Sequence, residues 1–329
     1  MLSLKEFGLN SIVSIDLEVA TFCNLKCPTC RVTQSNKKHE LMNFNNFIEI
    51  AHALKPAIQT SRVFNLSPSE SLLHPRTFDM IDYIKGLNPN IGFNIITNGM
   101  LLDEDRQNEL LKRDIKGICV SLDGATKETF ESIRVGSNFE LIKQNVKSFI
   151  SKGGNVRTIF VSRKNNINEL LPFVNMCSEL GVSKIKVTGF NAYLKEHLPL
   201  TLYSKEGRPE VDLIYKEAQK LANEKRIDFY YVSTKLNESK CCPNWNTMFV
   251  DMYGNVSPCC FLNESSPLTL EEEIRTKPII WGNVLKDNPL YIWWSDPSLQ
   301  FRRDLLYGKE CKFCAMKYGV ICDMHKDSI

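Results

Sequence analysis

No apolar run in this sequence is long enough to cross a bilayer as a helix, and no block of Lys or Arg marks a nucleic-acid or membrane-surface binder. The 41 basic residues outnumber the 38 acidic ones by only three, too small a surplus to imply an acidic partner. Internal repeats and low-complexity tracts are absent. Cysteine is scarce in the middle of the chain, where only Cys119 and Cys177 fall between Cys30 and Cys241. A secreted disulfide scaffold is short and spreads its cysteines along its length, so that class does not fit. Lys5, Glu6, Asp16 and Glu18 stand near the N-terminus with no cleavage pattern after them, which argues against a signal peptide. The expectation is a cytoplasmic protein that engages neither membrane nor nucleic acid.

What is present is a set of twelve cysteines gathered at the two ends: Cys23, Cys27 and Cys30, then seven after position 240. In a cytoplasmic chain such clusters point to metal. Between them, Val- and Ile-rich runs at 12–17, 63–66, 92–96, 117–122, 157–161 and 184–187 read as strands buried on both faces. Amphipathic stretches at 44–54, 76–87, 103–112, 138–151 and 168–180 read as helices, the last stopping at Gly181. Six strand–helix repeats imply a parallel sheet with right-handed crossovers, an α/β layout and a curved partial barrel. The pattern breaks near 190–210 at Pro199, Gly207 and Pro209. A further helix near 211–225 precedes a cysteine-rich region in which 247–250 and 256–258 flank Met252-Tyr253-Gly254-Asn255 as a β-hairpin. The expected division is 1–210 for the barrel and 211–329 for a small α+β extension.

Cys23, Cys27 and Cys30 follow directly on the first expected strand. A closed structural zinc site normally takes four protein ligands, whereas a four-iron cube held by three thiolates keeps one iron open. Reduced packed cysteines, or a zinc site completed from elsewhere, are the plainer readings. Here the sequence resembles the radical S-adenosylmethionine (SAM) superfamily, whose signature is C-x3-C-x2-C after the first strand of a partial (β/α)6 TIM-like barrel. The resemblance continues at later strand ends. Ser67-Pro68-Ser69-Glu70 is similar to the family's Gly-Gly-Glu-Pro segment, with Pro68 and Ser69 in place of the glycines. Thr97-Asn98-Gly99 ends the third strand and Ser121-Leu122-Asp123-Gly124 the fourth, and Arg134 lies eleven residues beyond Asp123. The resemblance implies that Ser69, Glu70 and Asn98 line the SAM site. It further implies that Ser121 and Asp123 contact the ribose and that Arg134 pairs with the SAM carboxylate through its planar fork. Taken singly, each has a bland alternative as turn, helix cap or surface charge.

The second cluster runs Cys242-Pro243-Asn244-Trp245, Gly254, Cys259-Cys260, Trp281-Gly282-Asn283-Val284, then Cys311, Cys314 and Cys322. It resembles the SPASM or twitch extension that binds auxiliary iron–sulfur clusters. That resemblance implies one auxiliary [4Fe–4S] cluster on Cys242, Cys259, Cys311 and Cys314, with Cys241, Cys260 and Cys322 left over. A structural zinc ribbon is the competing reading of two cysteine pairs beside a hairpin. The family likeness implies reductive cleavage of SAM at a site-differentiated [4Fe–4S] cluster, fed by a flavodoxin- or ferredoxin-like donor. The resulting 5′-deoxyadenosyl radical removes a substrate hydrogen atom. Net oxidation (a dehydrogenation or a cross-link) is the first expectation. The substrate is a small polar metabolite such as a sugar or aminocyclitol, or a peptide, the latter disfavoured because the first strand begins near residue 12. Epimerisation with Cys119 or Cys260 as hydrogen donor is the alternative, and a non-catalytic iron–sulfur or zinc scaffold the third.

Overall fold

Strand β1 (Ser14–Glu18) alternates, burying Ile15 and Leu17 completely among the helices and presenting Ser14, Asp16 and Glu18 to the opposite face. The computed structural model describes residues 12–306 apart from 193, 205, 236–245, 264–265, 268–274 and 277. After β1 come three helices, α1 (Arg31–Gln34), α2 (Phe44–Ala53) and α3 (Lys55–Ile58), before β2 (Val63–Ser67). Asn43 caps α2 by accepting the Asn45 amide at 2.8 Å, and Phe47, Ile50 and Ala51 form its buried stripe.

The next repeats are regular. Helix α4 (Thr77–Leu87) leads to a third strand that Asn94 divides into β3 (Gly92–Phe93) and β4 (Ile95–Thr97). The division is a change of partner, because β3 pairs with β2 and β4 with the following strand. Helix α5 (Glu104–Lys112), β5 (Gly117–Ser121), α6 (Lys127–Ile133), α7 (Phe139–Ser151), β6 (Asn155–Ser162), α8 (Leu170–Leu180) and β7 (Lys184–Gly189) complete the barrel. Asp103, Thr126 and Asn138 cap α5, α6 and α7 through their side chains. Gly181 ends α8 in the left-handed conformation, φ +81°. The strands β1 to β7 pair in parallel in chain order, so the six-stranded partial barrel stands as expected.

Both edges of that barrel are extended. Helix α9 (Pro209–Glu224) packs Val211, Tyr215, Ala218 and Ala222 inward and returns the chain to β8 (Asp228–Tyr231), which pairs in parallel with β7. Helix α9 straddles position 210 and β8 lies beyond it, yet β8 continues the barrel sheet. At the other edge, β9 (Thr247–Val250) lies parallel to β1 and antiparallel to β10 (Asn255–Ser257), forming the expected hairpin. A two-stranded ribbon, β11 (Ser266–Pro267) and β12 (Arg275–Thr276), is followed by β13 (Gly282–Asn283), which pairs with β10. Helices α10 (Pro289–Trp293) and α11 (Asp296–Leu306) close the described chain. Among the described residues no helix is long and apolar enough to cross a membrane.

Candidate active site

The loop after β1 is pinned at its base. Ala20 and Leu41 form an antiparallel bridge, and the Thr21 hydroxyl donates to the Lys38 carbonyl at 2.6 Å. Within the loop the Cys30 amide donates to the Cys27 carbonyl at 3.1 Å, and Cys30 stands immediately before α1. The Lys26 amide reaches the Val135 carbonyl at 2.9 Å, anchoring the loop to the segment after α6. Cys23, Cys27 and Cys30 are all half-buried and outside any disulfide.

Their surroundings are polar and asymmetric. Glu70, 4% exposed, follows β2 and accepts the Leu72 amide at 3.1 Å and the Asn98 amide at 2.7 Å. The Asn98 side chain donates to Asn24 Oδ1 at 2.8 Å, approaches Cys23 Sγ at 3.6 Å, and accepts the Met100 amide. This tight turn requires Gly99. Its φ is +82°, and a Cβ there would stand 2.8 Å from an Ile142 methyl. Asp123, beyond β5, accepts the Val161 amide on Oδ1 at 2.7 Å and the Arg134 guanidinium on Oδ2 at 2.8 Å. The structure therefore joins as an ion pair the two residues that the sequence resemblance assigns to different ends of SAM.

Charge is distributed along the cysteine loop. The negative field of Glu70 acts on Cys23, whereas the positive field of Arg134 acts on Cys27. Burial pushes the Cys23 thiol up to about 11 and raises that of Cys27 as well, with Arg134 working against the rise at Cys27. A metal binding these thiols must displace their protons. For Arg134 burial favours the neutral form, but Asp123 and the nearby thiolates outweigh it and hold the guanidinium charged. Among the described residues no three His, Cys, Asp or Glu side chains are placed to hold one metal ion. Thiolates that each bind a different iron of a cube need no such closeness, so the donor set fits a cluster better than a lone ion.

Burial also raises the Glu70 carboxyl above its ordinary value of 4.5, partly offset by the Asn98 and Leu72 amides. Its protonated form is thus the one favoured on folding. The stability it contributes is complete below the unfolded value and is lost as pH rises through the folded one. In the metal-free protein, Glu70→Gln will therefore flatten the decline in urea midpoint that sets in as pH rises above the ordinary carboxyl value of 4.5. An unchanged slope would show that Glu70 is not the group responsible.

Two residues at the same rim escaped the sequence reading. Arg163 directly follows β6, is 5% exposed, and donates from Nη1 to Thr29 Oγ1 at 3.0 Å. Asn166, also buried, binds the Asp123 and Val161 carbonyls and accepts the Arg163 amide. Both stand where Glu70, Asn98 and Asp123 stand, just past a strand's C-terminal end, and scoring every strand end alike would have found them.

The remaining sequence candidates are dispersed. Ser69 is half-buried beside Glu70, and Ser121 is the last residue of β5. Cys119 lies two residues deeper on β5, 4% exposed and opposite Arg157 of β6, its thiol pushed up to about 11 by burial. Cys259 is buried just after β10, and Cys260 is half-buried beside it. Cys242, Cys311 and Cys314, like Cys241 and Cys322, lie outside the described residues. The two regions nevertheless touch. Arg31 donates to the Cys260 carbonyl at 2.9 Å and covers the Phe261 ring, while Lys37 bridges the buried Glu18 (2.8 Å) and Asn263 (3.1 Å).

The sequence profile of the radical SAM superfamily matches residues 17–177, and that of the iron–sulfur cluster-binding SPASM domain matches residues 241–315. A Pyrococcus furiosus protein named as the cofactor-modifying protein of tungsten-containing aldehyde ferredoxin oxidoreductase is 26% identical, the match covering 94% of this chain and 88% of that one. A probable GTP 3′,8-cyclase of Methanococcus maripaludis is 24% identical over 80% of this chain and 92% of its own. Among solved structures, Streptococcus suis SuiB bound to the precursor peptide SuiA superposes with a TM-score of 0.66 at 14% identity, covering 94% of this chain and 69% of SuiB. That last likeness establishes the fold.

Proposed function

The chain belongs to the radical SAM superfamily and carries a C-terminal SPASM domain, and from that premise we propose that it oxidises a small polar metabolite or a peptide at the rim around Cys23, Cys27 and Cys30. SAM and [4Fe–4S] clusters are the cofactors of these two domains. When bound, they supply a 5′-deoxyadenosyl radical able to take a hydrogen atom from an unactivated carbon.

The chain's own residues do the holding and orienting. Cys23, Cys27 and Cys30 ligate the first cluster. The observation that carries this reading is the polarity of their surroundings: a buried carboxyl, Glu70, on the Cys23 side and a partly buried guanidinium, Arg134, on the Cys27 side. Such a pair suits the ammonium and carboxylate of an amino acid. Asp123 fixes Arg134, while Asn98 holds Glu70 through its amide and the loop through Asn24. Ser69, next to Glu70 in the chain, and Ser121, at the end of β5, are assigned to the SAM site by the family likeness. Cys242, Cys259, Cys311 and Cys314 ligate one auxiliary [4Fe–4S] cluster, which accepts the electron that net oxidation releases. A flavodoxin or ferredoxin feeds the first cluster. The barrel runs to Tyr231 at the end of β8, because β8 joins its sheet beside β7 and α9 is the crossover that delivers it.

Radical epimerisation is the second reading, and Cys260 supports it. This half-buried thiol is tied by its carbonyl to Arg31, the residue after Cys30. At 4% exposure Cys119 is the poorer donor.

Anaerobic reconstitution with iron and sulfide, followed by SAM and dithionite, tests the proposal by 5′-deoxyadenosine release. Oxidation gives a product two hydrogens lighter from a panel of peptides and aminocyclitols. Epimerisation gives one solvent deuterium per product and stops in Cys260→Ala. No 5′-deoxyadenosine above a Cys27→Ala control would reduce the chain to a metal-binding scaffold.

A further inference from the structure

We infer that the ends of β6 and β7 form a subsite for an anionic oxygen group of the substrate, a carboxylate or a phosphate, with the Arg163 guanidinium as its charged donor. The inference rests on the proposed function in placing a substrate at this rim.

Arg163 is 95% removed from solvent, taking its 5% exposure at face value, yet its charge has no counter-anion of its own. Among the described residues it forms no ion pair with a carboxylate. Asp123, the acid whose field reaches it, already uses one oxygen on the Val161 amide and the other on Arg134. A buried guanidinium without an anion is strongly disfavoured. Ligands that bind only when the enzyme works are a common reason for retaining one.

The geometry of the unused atoms narrows the ligand. Thr29 takes Nη1, whereas among the described residues the buried Nε has no partner and no hydrogen bond from Nη2 is formed. Nε and Nη2 share one edge of the guanidinium plane, the edge that grips two oxygens of a carboxylate or phosphate side-on. The Phe190 ring lies against the guanidinium with its centroid 4.6 Å away and fixes its plane. Ser162 pairs with Gly189 at the end of β6 and β7, so Arg163 and Phe190 follow one residue beyond on the two strands.

The same rim holds a further polar atom without a partner. His197, whose ring centroid is 6.2 Å from that of Phe190, has a buried Nδ1 with no hydrogen bond among the described residues. Orphaned buried polar atoms in a native chain call for a water or a ligand. Arg163 Nε and His197 Nδ1 flank the same Phe190 ring beyond β6 and β7, and the guanidinium edge with a protonated imidazole nitrogen is what a substrate's anionic end would satisfy.

The test uses the full chain loaded with its cluster and saturated with SAM. Thermal unfolding is followed against inorganic phosphate and, separately, acetate, with chloride at matched ionic strength as control. A midpoint rise beyond chloride is expected, and the anion with the lower half-saturating concentration names the source. Arg163→Gln should raise that concentration about ten- to hundredfold, and Arg163→Lys, which keeps the charge and loses the fork, by less. If neither anion exceeds chloride on the unaltered chain, the subsite does not exist, whatever the variants do. Competition between anion and SAM would overturn it too, by assigning the fork to SAM. Iron content and the SAM-dependent change in the cluster's paramagnetic spectrum report separately on the proposed function. If these fail while the anion response persists on the metal-free chain, the enzyme reading falls and the anion site stands.

Discussion

Cys27→Ala will yield a folded chain that has lost about four irons and makes no 5′-deoxyadenosine above the level without enzyme. The two halves of this outcome separate because Cys27 is half-buried on a loop and takes no part in the apolar core. Loops without buried apolar contacts contribute little to global stability, so the metal-free variant should unfold within about 0.5 kcal/mol of the unaltered protein. The cluster, by contrast, loses one of the three thiolates that the loop supplies. The neighbouring polar side chains, Asn24 and Thr29, are poor ligands for iron, and Glu70 is engaged by two backbone amides. Iron and sulfide assays together with urea unfolding decide the matter. A variant that keeps its full iron would exclude Cys27 from the ligand set.

Asp123→Ala should be the most destabilising single change at the rim, by about 3–5 kcal/mol, because it strands a largely buried guanidinium. It also leaves the Val161 amide without its acceptor. Against a total of about 5–15 kcal/mol for a typical domain, such a loss moves the urea midpoint far without altering the slope. Removing the charge as well, in Asp123→Ala with Arg134→Met, should recover part of the loss, since an apolar replacement for an ion pair leaves no orphan. Asp123→Asn, which keeps an oxygen for Val161, should fall between. A loss below about 1 kcal/mol would mean that the pair behaves as a solvent-screened surface bridge. In that event Arg134 would not be held in place by Asp123.

Much of this rim was legible before any coordinates. The Val- and Ile-rich runs mark strands because burial on both faces demands apolar side chains at successive positions. Once the strands are placed, Glu70, Asn98, Ser121 and Asp123 fall at their C-terminal ends by counting. What counting does not deliver is who meets whom. The Asp123–Arg134 pair depends on a turn of α6 between them, and sequence distance alone does not reveal it. Arg163 was missed for a related reason: an arginine after a strand normally ends in water, and only the packing of Phe190 and Thr29 around it makes it a buried charge. Strand β8 lies beyond the break near 190–210, where the strand–helix rhythm had lapsed. The alignment of β9 with β1 joins residues more than two hundred positions apart, and no local pattern encodes such a partner.

That last pairing sets a timetable for the chain's birth. One edge of β1 is covered by β2 soon after it emerges from the ribosome, but the other must wait for Thr247–Val250. At about 5–20 residues per second, the wait is roughly ten to fifty seconds. Throughout it, Ser14–Leu17 offers unpaired amides and carbonyls beside the loop destined for the cluster, a template for any passing strand. Cells starting many copies at once should therefore lose the protein to aggregates through this edge, and fewer initiations at an unchanged elongation rate, which space the waiting chains apart, should improve its yield.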